Sequence, residues 1–207
     1  MINKFIVERL ILYNRICKYF SKEGKKWVTS RDIAAVLSKT PAQVRRDLSE
    51  LGKKGKPGVG YRIDELVEEI NKLLGLSQFW NIALIGAGNL GRALFYYPGF
   101  KREGFNFKVI VDNDSKKIGT VWNDTEIRPE KQLVEIINKN KIDIAIIAVP
   151  VSAAQKVCDK VVTAGIQEIL NFAPCNLNIP DNVEVRNADL ALELQNLSYT
   201  LKNRKSR

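Results

Sequence analysis

Apolar positions early in the chain recur at spacings of three and four, whereas beyond residue 80 they gather into short unbroken runs separated by periodic, more polar stretches. Ile6, Leu10, Tyr13, Ile16 and Phe20 predict one amphipathic helix over Phe5–Phe20. Gly24 and its neighbouring lysines break that pattern. Ser30 is then the expected cap of a second helix, Arg31 to Leu37, with Ile33, Val36 and Leu37 facing inward. Thr40 as N-cap and Pro41 as first helical residue open a third helix, which buries Val44 and Leu48 and stops at Gly52. Lys53–Tyr61 holds three lysines, three glycines and a proline, too many breakers for a helix and well suited to a hairpin. The periodic run Ile63–Leu74 closes a small helical domain, with a boundary expected at residue 77.

The second part alternates between strand and helix. Asn81–Ile85, Phe107–Val111, Ile142–Val149 and Glu168–Phe172 read as strands; the segments from Asn89 to Tyr97, around Leu133–Ile137, and from Ala153 to Ala164 read as helices, the first ended by Pro98-Gly99. The near-continuous apolar character of Ile142–Val149 fits a strand buried on both faces. The alternation as a whole predicts an α/β, doubly wound parallel sheet of the Rossmann-like kind over residues 78–187. A last helix over Ala188–Lys202, in the segment 188–207, carries Leu190, Leu194, Leu197 and Leu201 along one stripe, with Leu192 and Tyr199 beside it. That is more apolar surface than a solitary terminal helix carries, so it is expected to pack on a partner subunit.

Three glycines, Gly86, Gly88 and Gly91, follow the first strand at G-x-G-x-x-G spacing. In that setting Gly86 allows a tight turn, Gly88 lets backbone N–H groups approach a pyrophosphate, and Gly91 lets the helix pack on the strand; the cofactor contacts are expected from Gly86, Ala87, Gly88, Asn89, Leu90 and Gly91. Asp112 ends the second strand 21 residues after Gly91, close to the spacing of an acid that binds the adenosine ribose and disfavours a 2′-phosphate. Lys116 and Lys117 weaken that exclusion. Val149, Pro150 and Asn171 lie at strand ends, where the nicotinamide side of such a site is expected.

The net charge of +10 sharpens the picture because it is uneven. Residues 1–77 hold 16 Lys and Arg against 9 Asp and Glu, giving +7, whereas residues 78–207 hold 17 against 14, giving +3, with Lys202, Arg204, Lys205 and Arg207 in the last six. Two helices joined by a short turn, within that basic third, form a candidate helix-turn-helix. Its second helix presents Gln43, Arg45, Arg46 and Ser49, chemically matched to bases and phosphates. Thr40 opens it, and Lys53, Lys54, Lys56, Gly58 and Tyr61 would form a wing against the DNA backbone or minor groove. A plain helical interaction module is the alternative. Cys17, Cys158 and Cys175 are too scattered for a disulfide framework and read as buried thiols. The chain has no histidine, which removes the usual catalytic triads and the commonest metal ligand, and no metal is expected. No apolar run is long enough to cross a bilayer, and the start Met1-Ile-Asn-Lys-Phe has no signal-type core, so a cytoplasmic protein is expected.

Taken together, Thr40-Pro-Ala-Gln-Val-Arg-Arg-Asp-Leu-Ser49, Gly58-Val-Gly-Tyr61, Gly86-Ala-Gly-Asn-Leu-Gly91, Tyr97-Pro-Gly-Phe100, Ile169-Leu-Asn-Phe-Ala-Pro174 and Asp189-Leu-Ala-Leu-Glu-Leu194 resemble the Rex family of bacterial repressors, in order and over nearly the full length. The resemblance implies a winged-helix domain and a Rossmann-like domain in a homodimer with the last helix swapped. It implies binding of NADH and NAD⁺, and release of a palindromic DNA operator by NADH. It also implies a switch formed by an N-terminal arginine, a tyrosine before Pro-Gly and an acid opening the last helix, matched here by Arg15, Tyr97 and Asp189. The wing departs from the family pattern at Lys53-Lys-Gly-Lys-Pro57. Two other classes remain open to the same residues: an NAD-dependent dehydrogenase with a basic accessory domain, and a nucleotide- or coenzyme-A-binding subunit of a complex.

Overall fold

The computed structural model describes residues 4–205, so the opening Met1–Asn3 and the end of the basic tail at Ser206–Arg207 lie outside the described residues. The chain divides into two compact units, Met1–Gln78 and Phe79–Arg207.

In the first unit α1 (Lys4–Lys22) is followed by a two-residue strand β1 (Trp27–Val28), α2 (Ser30–Leu37), α3 (Pro41–Glu50), a second short strand β2 (Tyr61–Arg62) and α4 (Ile63–Leu73). Strands β1 and β2 pair antiparallel, Trp27 opposite Arg62 and Val28 opposite Tyr61, which pins the base of the wing to the start of α2. Thr29, rather than Ser30, caps α2. Its hydroxyl accepts from the Asp32 N–H, and the Asp32 carboxylate accepts from the Thr29 N–H in return, a reciprocal capping box. Thr40 and Pro41 open α3 as expected, with the Thr40 hydroxyl accepting from the Gln43 N–H at 3.2 Å. The turn between α2 and α3 passes through Ser38 in the left-handed region, φ 51°. Leu10, Tyr13, Cys17, Ile33, Val44, Leu48, Leu66 and Ile70 form one core. Val36, expected to face inward, is exposed, and Ala34 takes that place. On so short a helix only the 33/34/37 edge meets α1 and α3.

The second unit is a seven-stranded sheet in the order β5-β6-β4-β3-β7-β8-β9, with β3 (Trp80–Ile85), β4 (Phe105–Asp112), β5 (Val121–Trp122), β6 (Thr125–Pro129), β7 (Ile144–Ile147), β8 (Glu168–Asn171) and β9 (Glu184–Asn187). All neighbours are parallel except the β5–β6 hairpin. The helices are α5 (Asn89–Tyr96), α6 (Pro98–Arg102), α7 (Leu133–Asn140), α8 (Val151–Thr163) and α9 (Leu190–Lys205). Pro98 begins a further short helix instead of closing the element, using its fixed φ at the first helical position. Alternate residues of β3 feed opposite cores: Ala83 and Ile85 pack with Leu133, Ile137, Val157 and Val161 of α7 and α8, while Ile82 and Leu84 pack with Ile110, Ile146, Leu94 and Phe95 on the α5 side. The sheet is therefore covered on both faces, as the apolar strands require. Along α9, Leu190, Leu192, Leu194, Leu197, Tyr199 and Leu201 are all more than half exposed in the single chain.

Candidate dinucleotide cleft and nucleic-acid interface

The turn after β3 is held from three sides. Gly86 has φ 104°, a conformation that glycine tolerates, and a Cβ there would press on the backbone of Ala148 after β7. Its N–H donates to Val111 O at 2.9 Å. A Cβ on Gly91 would run into the Gly86 carbonyl, so α5 can lie this close to the turn only with glycine there. Gly88, the N-cap residue of α5, differs from both: a Cβ would meet nothing within 4 Å, so open space faces its backbone. The unpaired N–H groups of the first α5 turn and the helix dipole make that space favourable to an anion.

A cleft of about 310 Å³ opens beside this turn, lined by Gly86 and Gly88, by Asp112 to Asp114, by Ala148 to Pro150, and by Lys117, Glu130 and Ala153. It lies beyond the carboxyl ends of β3, β4 and β7, where the helix after β3 packs on one face and α7 and α8 on the other. Doubly wound sheets bind their ligands at such a switch point. Of the residues singled out in the sequence, the cleft gathers Gly86, Gly88, Asp112, Val149 and Pro150. Ala87, Asn89, Leu90 and Gly91 sit behind the turn or along α5, and Asn171 is elsewhere.

Asp112 has an internal task. Its carboxylate is nearly buried, accepting from the Ala87 N–H at 2.6 Å, the Asp114 N–H at 2.8 Å and Lys117 Nζ at 3.3 Å. Burial pushes this carboxyl up, but the Asp114 and Ala87 N–H groups and the Lys117 ammonium outweigh it and hold it below the ordinary carboxylate range. Asp114, two-fifths exposed and 3.7 Å from Lys117 Nζ, is the more exposed carboxylate of the loop. Asn171 is fully buried. It donates to the carbonyls of Ala173 and Cys175 and to Asn187, and accepts from the Ala173 N–H, so it shapes the loop after β8. Glu130, missed in the sequence because it follows the unrecognised strand β6, is paired with Lys160 at 2.6 Å.

In the first unit, a groove of about 400 Å³ runs between the start of α2, α3 and the wing, lined by Thr29, Ser30, Arg31, Arg45, Lys56, Gly58 and Tyr61 among others. Arg45 Nη1 donates to Ser30 Oγ at 3.1 Å, which aims this guanidinium along the groove. Arg46 is exposed, and Ser49 spends its hydroxyl on Arg45 O at 2.8 Å. Lys56 lies over the Trp27 ring at 5.2 Å, and Lys53 pairs with Glu69 at 3.1 Å, while Lys54 is exposed. Ser30 and Arg31 were not among the DNA contacts expected from the sequence, where they read as the cap and the first residue of the second helix. The Asp47 side chain, 1% exposed, is the centre of the unit's buried polar network: Arg9, Tyr13 and Gln43 all donate to it. Its burial raises the carboxyl, but those three donors overcome this and leave it below the ordinary range. Burial pushes the Cys17 thiol up to about 12, so it is an inert core group. Among the described residues no helix is long and apolar enough to cross a membrane, and no three Cys, Asp or Glu cluster as metal ligands.

Comparison with known proteins follows this division. Residues 2–49 match the family model "Putative DNA-binding protein N-terminus", and residues 77–175 match "CoA binding domain". The chain is 46% identical to the redox-sensing transcriptional repressor Rex of Desulfitobacterium hafniense, over 96% of this chain and 94% of that one. It is 45% identical to Rex of Desulforamulus reducens, over 94% and 93%. The chain belongs to the Rex family. Among solved structures, this Rex-family chain is similar to "RSP in complex with beta-NAD+ and operator DNA", with 36% identity, TM-score 0.94, and coverage of 99% of this chain and 94% of that one. RSP with beta-NADH gives 34% identity, TM-score 0.89, and coverage of 99% and 96%. The relatives are named as repressors and not as enzymes. Of the three positions matched to the Rex switch, Tyr97 and Asp189 do not line the glycine-turn cleft. Arg15 is exposed on α1; Tyr97 is exposed beside Phe100, ring centroids 5.3 Å apart; and Asp189 caps α9 through the Ala191 and Leu192 N–H groups.

Proposed function

We propose that this Rex-family repressor is a homodimer that holds a palindromic operator with its two winged-helix units while free or bound to NAD⁺, and lets go when NADH occupies the cleft at Gly86–Gly91. The observation that carries the reading is a basic helix-turn-helix with a wing and a cleft at a G-x-G-x-x-G turn in one chain. RSP forms complexes with beta-NAD+ and operator DNA and with beta-NADH. The backbone of Gly88 and the first turn of α5 would hold the pyrophosphate, and Asp114, with Asp112 behind it, the adenosine ribose, favouring NAD over NADP. DNA contacts would come from Gln43, Arg45, Arg46 and the wing, with Ser30 and Arg31 added by the groove. Dimerisation is supported by α9, whose six apolar side chains, half to seven-tenths exposed, would each gain about 1–2 kcal/mol on full burial. A protein with these partners works in the cytoplasm.

The nicotinamide ring carries a positive charge only in NAD⁺, and burying an unpaired charge costs several kcal/mol. A closed, dry pocket therefore prefers NADH. Closure that also moves the winged-helix units makes operator and NADH compete through one equilibrium, reciprocally. Operator binding measured by fluorescence anisotropy with saturating NAD⁺ and with saturating NADH tests the reading. Strong binding with NAD⁺ and loss with NADH is expected. Equal binding in the two states refutes redox sensing, and hydride transfer to an added substrate would revive the dehydrogenase class.

A further inference from the structure

Four hydrogen bonds converge on the buried carboxylate of Asp47. Oδ2 accepts from Arg9 Nε at 2.6 Å and Tyr13 Oη at 2.7 Å; Oδ1 accepts from Arg9 Nη2 at 2.8 Å and Gln43 Nε2 at 2.8 Å. Arg9 and Tyr13 belong to α1, so the carboxylate is clamped from outside its own helix. Gln43 is half-buried at the third position of α3, the end of a recognition helix that meets base edges. Its backbone N–H is taken by Thr40, and its Oε1 makes no hydrogen bond to any described residue.

An ionised carboxylate accepts and never donates, so the part of the Gln43 amide turned toward Asp47 must be the NH₂ group. Turning the amide over would set two oxygens against each other. One N–H is thereby consumed. What remains for a partner is one oxygen acceptor and one N–H donor in the amide plane. Adenine presents the matching pair in the major groove, an N6–H donor beside the N7 acceptor, whereas guanine presents two acceptors, O6 and N7. A glutamine free of such a clamp could swing its whole NH₂ group toward guanine and donate twice. A clamped one cannot.

We propose that Asp47, held by Arg9 and Tyr13, is a specificity-determining positioning residue that restricts Gln43 to adenine at one base pair of each operator half-site. This rests on the DNA-binding reading above. The test uses the full-length protein with NAD⁺ and a palindromic duplex selected from random sequences by the wild type, then remade with A·T→G·C at each half-site position in turn. Wild type is expected to lose roughly ten- to hundredfold in affinity at the Gln43 position. Gln43→Ala should erase that preference and leave the other positions as they were. Asp47→Ala should bring the adenine-to-guanine ratio there close to one, while Arg9→Ala, which weakens the same α1–α3 tie but leaves Asp47 on Gln43, should keep it. A merely structural role would move both variants alike. Where Asp47→Ala does not fold, the double variant Arg9→Met/Asp47→Leu replaces the buried pair with apolar groups and serves the same comparison. If the wild type selects no duplex, the DNA-binding reading falls and the clamp with it. If it selects one and the Asp47 variant keeps the wild-type ratio, the clamp alone is overturned.

Discussion

Gly88→Ala is expected to weaken NADH binding strongly while leaving the fold about as stable as before. At φ −80° and ψ −171° the residue occupies backbone space open to any L-residue, and an added Cβ meets no heavy atom within 4 Å. Alanine is a poorer N-cap than glycine by about 0.5–1 kcal/mol, but it lowers the entropy of the unfolded chain by about 0.4–1 kcal/mol, so the two nearly cancel. The methyl group would nevertheless stand where phosphate oxygens must approach the N–H groups of α5. Losing two charge-assisted hydrogen bonds at about 1.5–3 kcal/mol each weakens binding about a hundredfold or more. Gly91→Ala is the contrasting case. Its Cβ would collide with the Gly86 carbonyl, with the carbonyl carbon at 3.1 Å and Leu84 Cδ2 at 3.6 Å, so α5 must move. Overpacking of this kind costs about 1–3 kcal/mol, which is roughly 3–9 °C in Tm. Thermal unfolding by circular dichroism and NADH titration by fluorescence separate the two effects. Wild-type NADH affinity in Gly88→Ala, or a Tm loss equal to that of Gly91→Ala, would refute the account of the turn.

Gly60→Ala, at φ 104° with its Cβ against the Val28 backbone, should break the β1–β2 pairing and weaken operator binding tenfold or more by about 1–3 kcal/mol of strain, while NADH titration stays unchanged. Arg46→Ala should weaken operator binding by about 1–3 kcal/mol in an anisotropy assay and leave NADH affinity intact. Leu194→Glu with Leu197→Glu should give monomers by sedimentation velocity, with the circular dichroism spectrum retained, because both side chains are exposed in the single chain. Since the Asp47 carboxyl is held below its unfolded value, it contributes stability above about pH 3.9 that is lost as pH falls through the lower folded value. Urea midpoints of the first unit should drop across that acid window, and the drop should be smaller in Arg9→Met/Asp47→Leu.

Features with local causes were legible in the sequence. Thr40-Pro41 opens α3, and the glycine spacing after an apolar run marks the strand, turn and helix, because in each case the residues that dictate the conformation are those that adopt it. Local rivals and distant partners defeated the rest. Thr29 and Ser30 are equally good caps until Asp32, three residues after Thr29, selects between them. Strand β9, Glu184-Val-Arg-Asn187, has one apolar residue and exists because β8 offers it an edge. The β5–β6 hairpin turns through Asn123 at φ 49°, a signal too short to read. Asp47 carried no reading of its own in the sequence beyond its place in the Thr40–Ser49 motif, because its burial depends on Arg9 and Tyr13, 38 and 34 residues away. The same holds for Asp112, which was recognisable as an acid at a strand end, while its commitment to the Ala87 and Asp114 backbones appears only once the two loops meet.

That commitment of Asp112 bears on what the sensor measures. One carboxylate locks the glycine turn and the acid loop together, so the half of the cleft proposed for the adenosine diphosphate moiety has its shape before a ligand arrives. NAD⁺ and NADH are identical in that moiety, and an anchor that grips both alike shifts no equilibrium between them. On the proposed reading it would set the overall concentration at which clefts fill, and the distinction between the two forms would be left to the nicotinamide end. Enlarging the total nicotinamide pool at constant redox balance should then fill more clefts and leave the proportion of the two bound forms as it was.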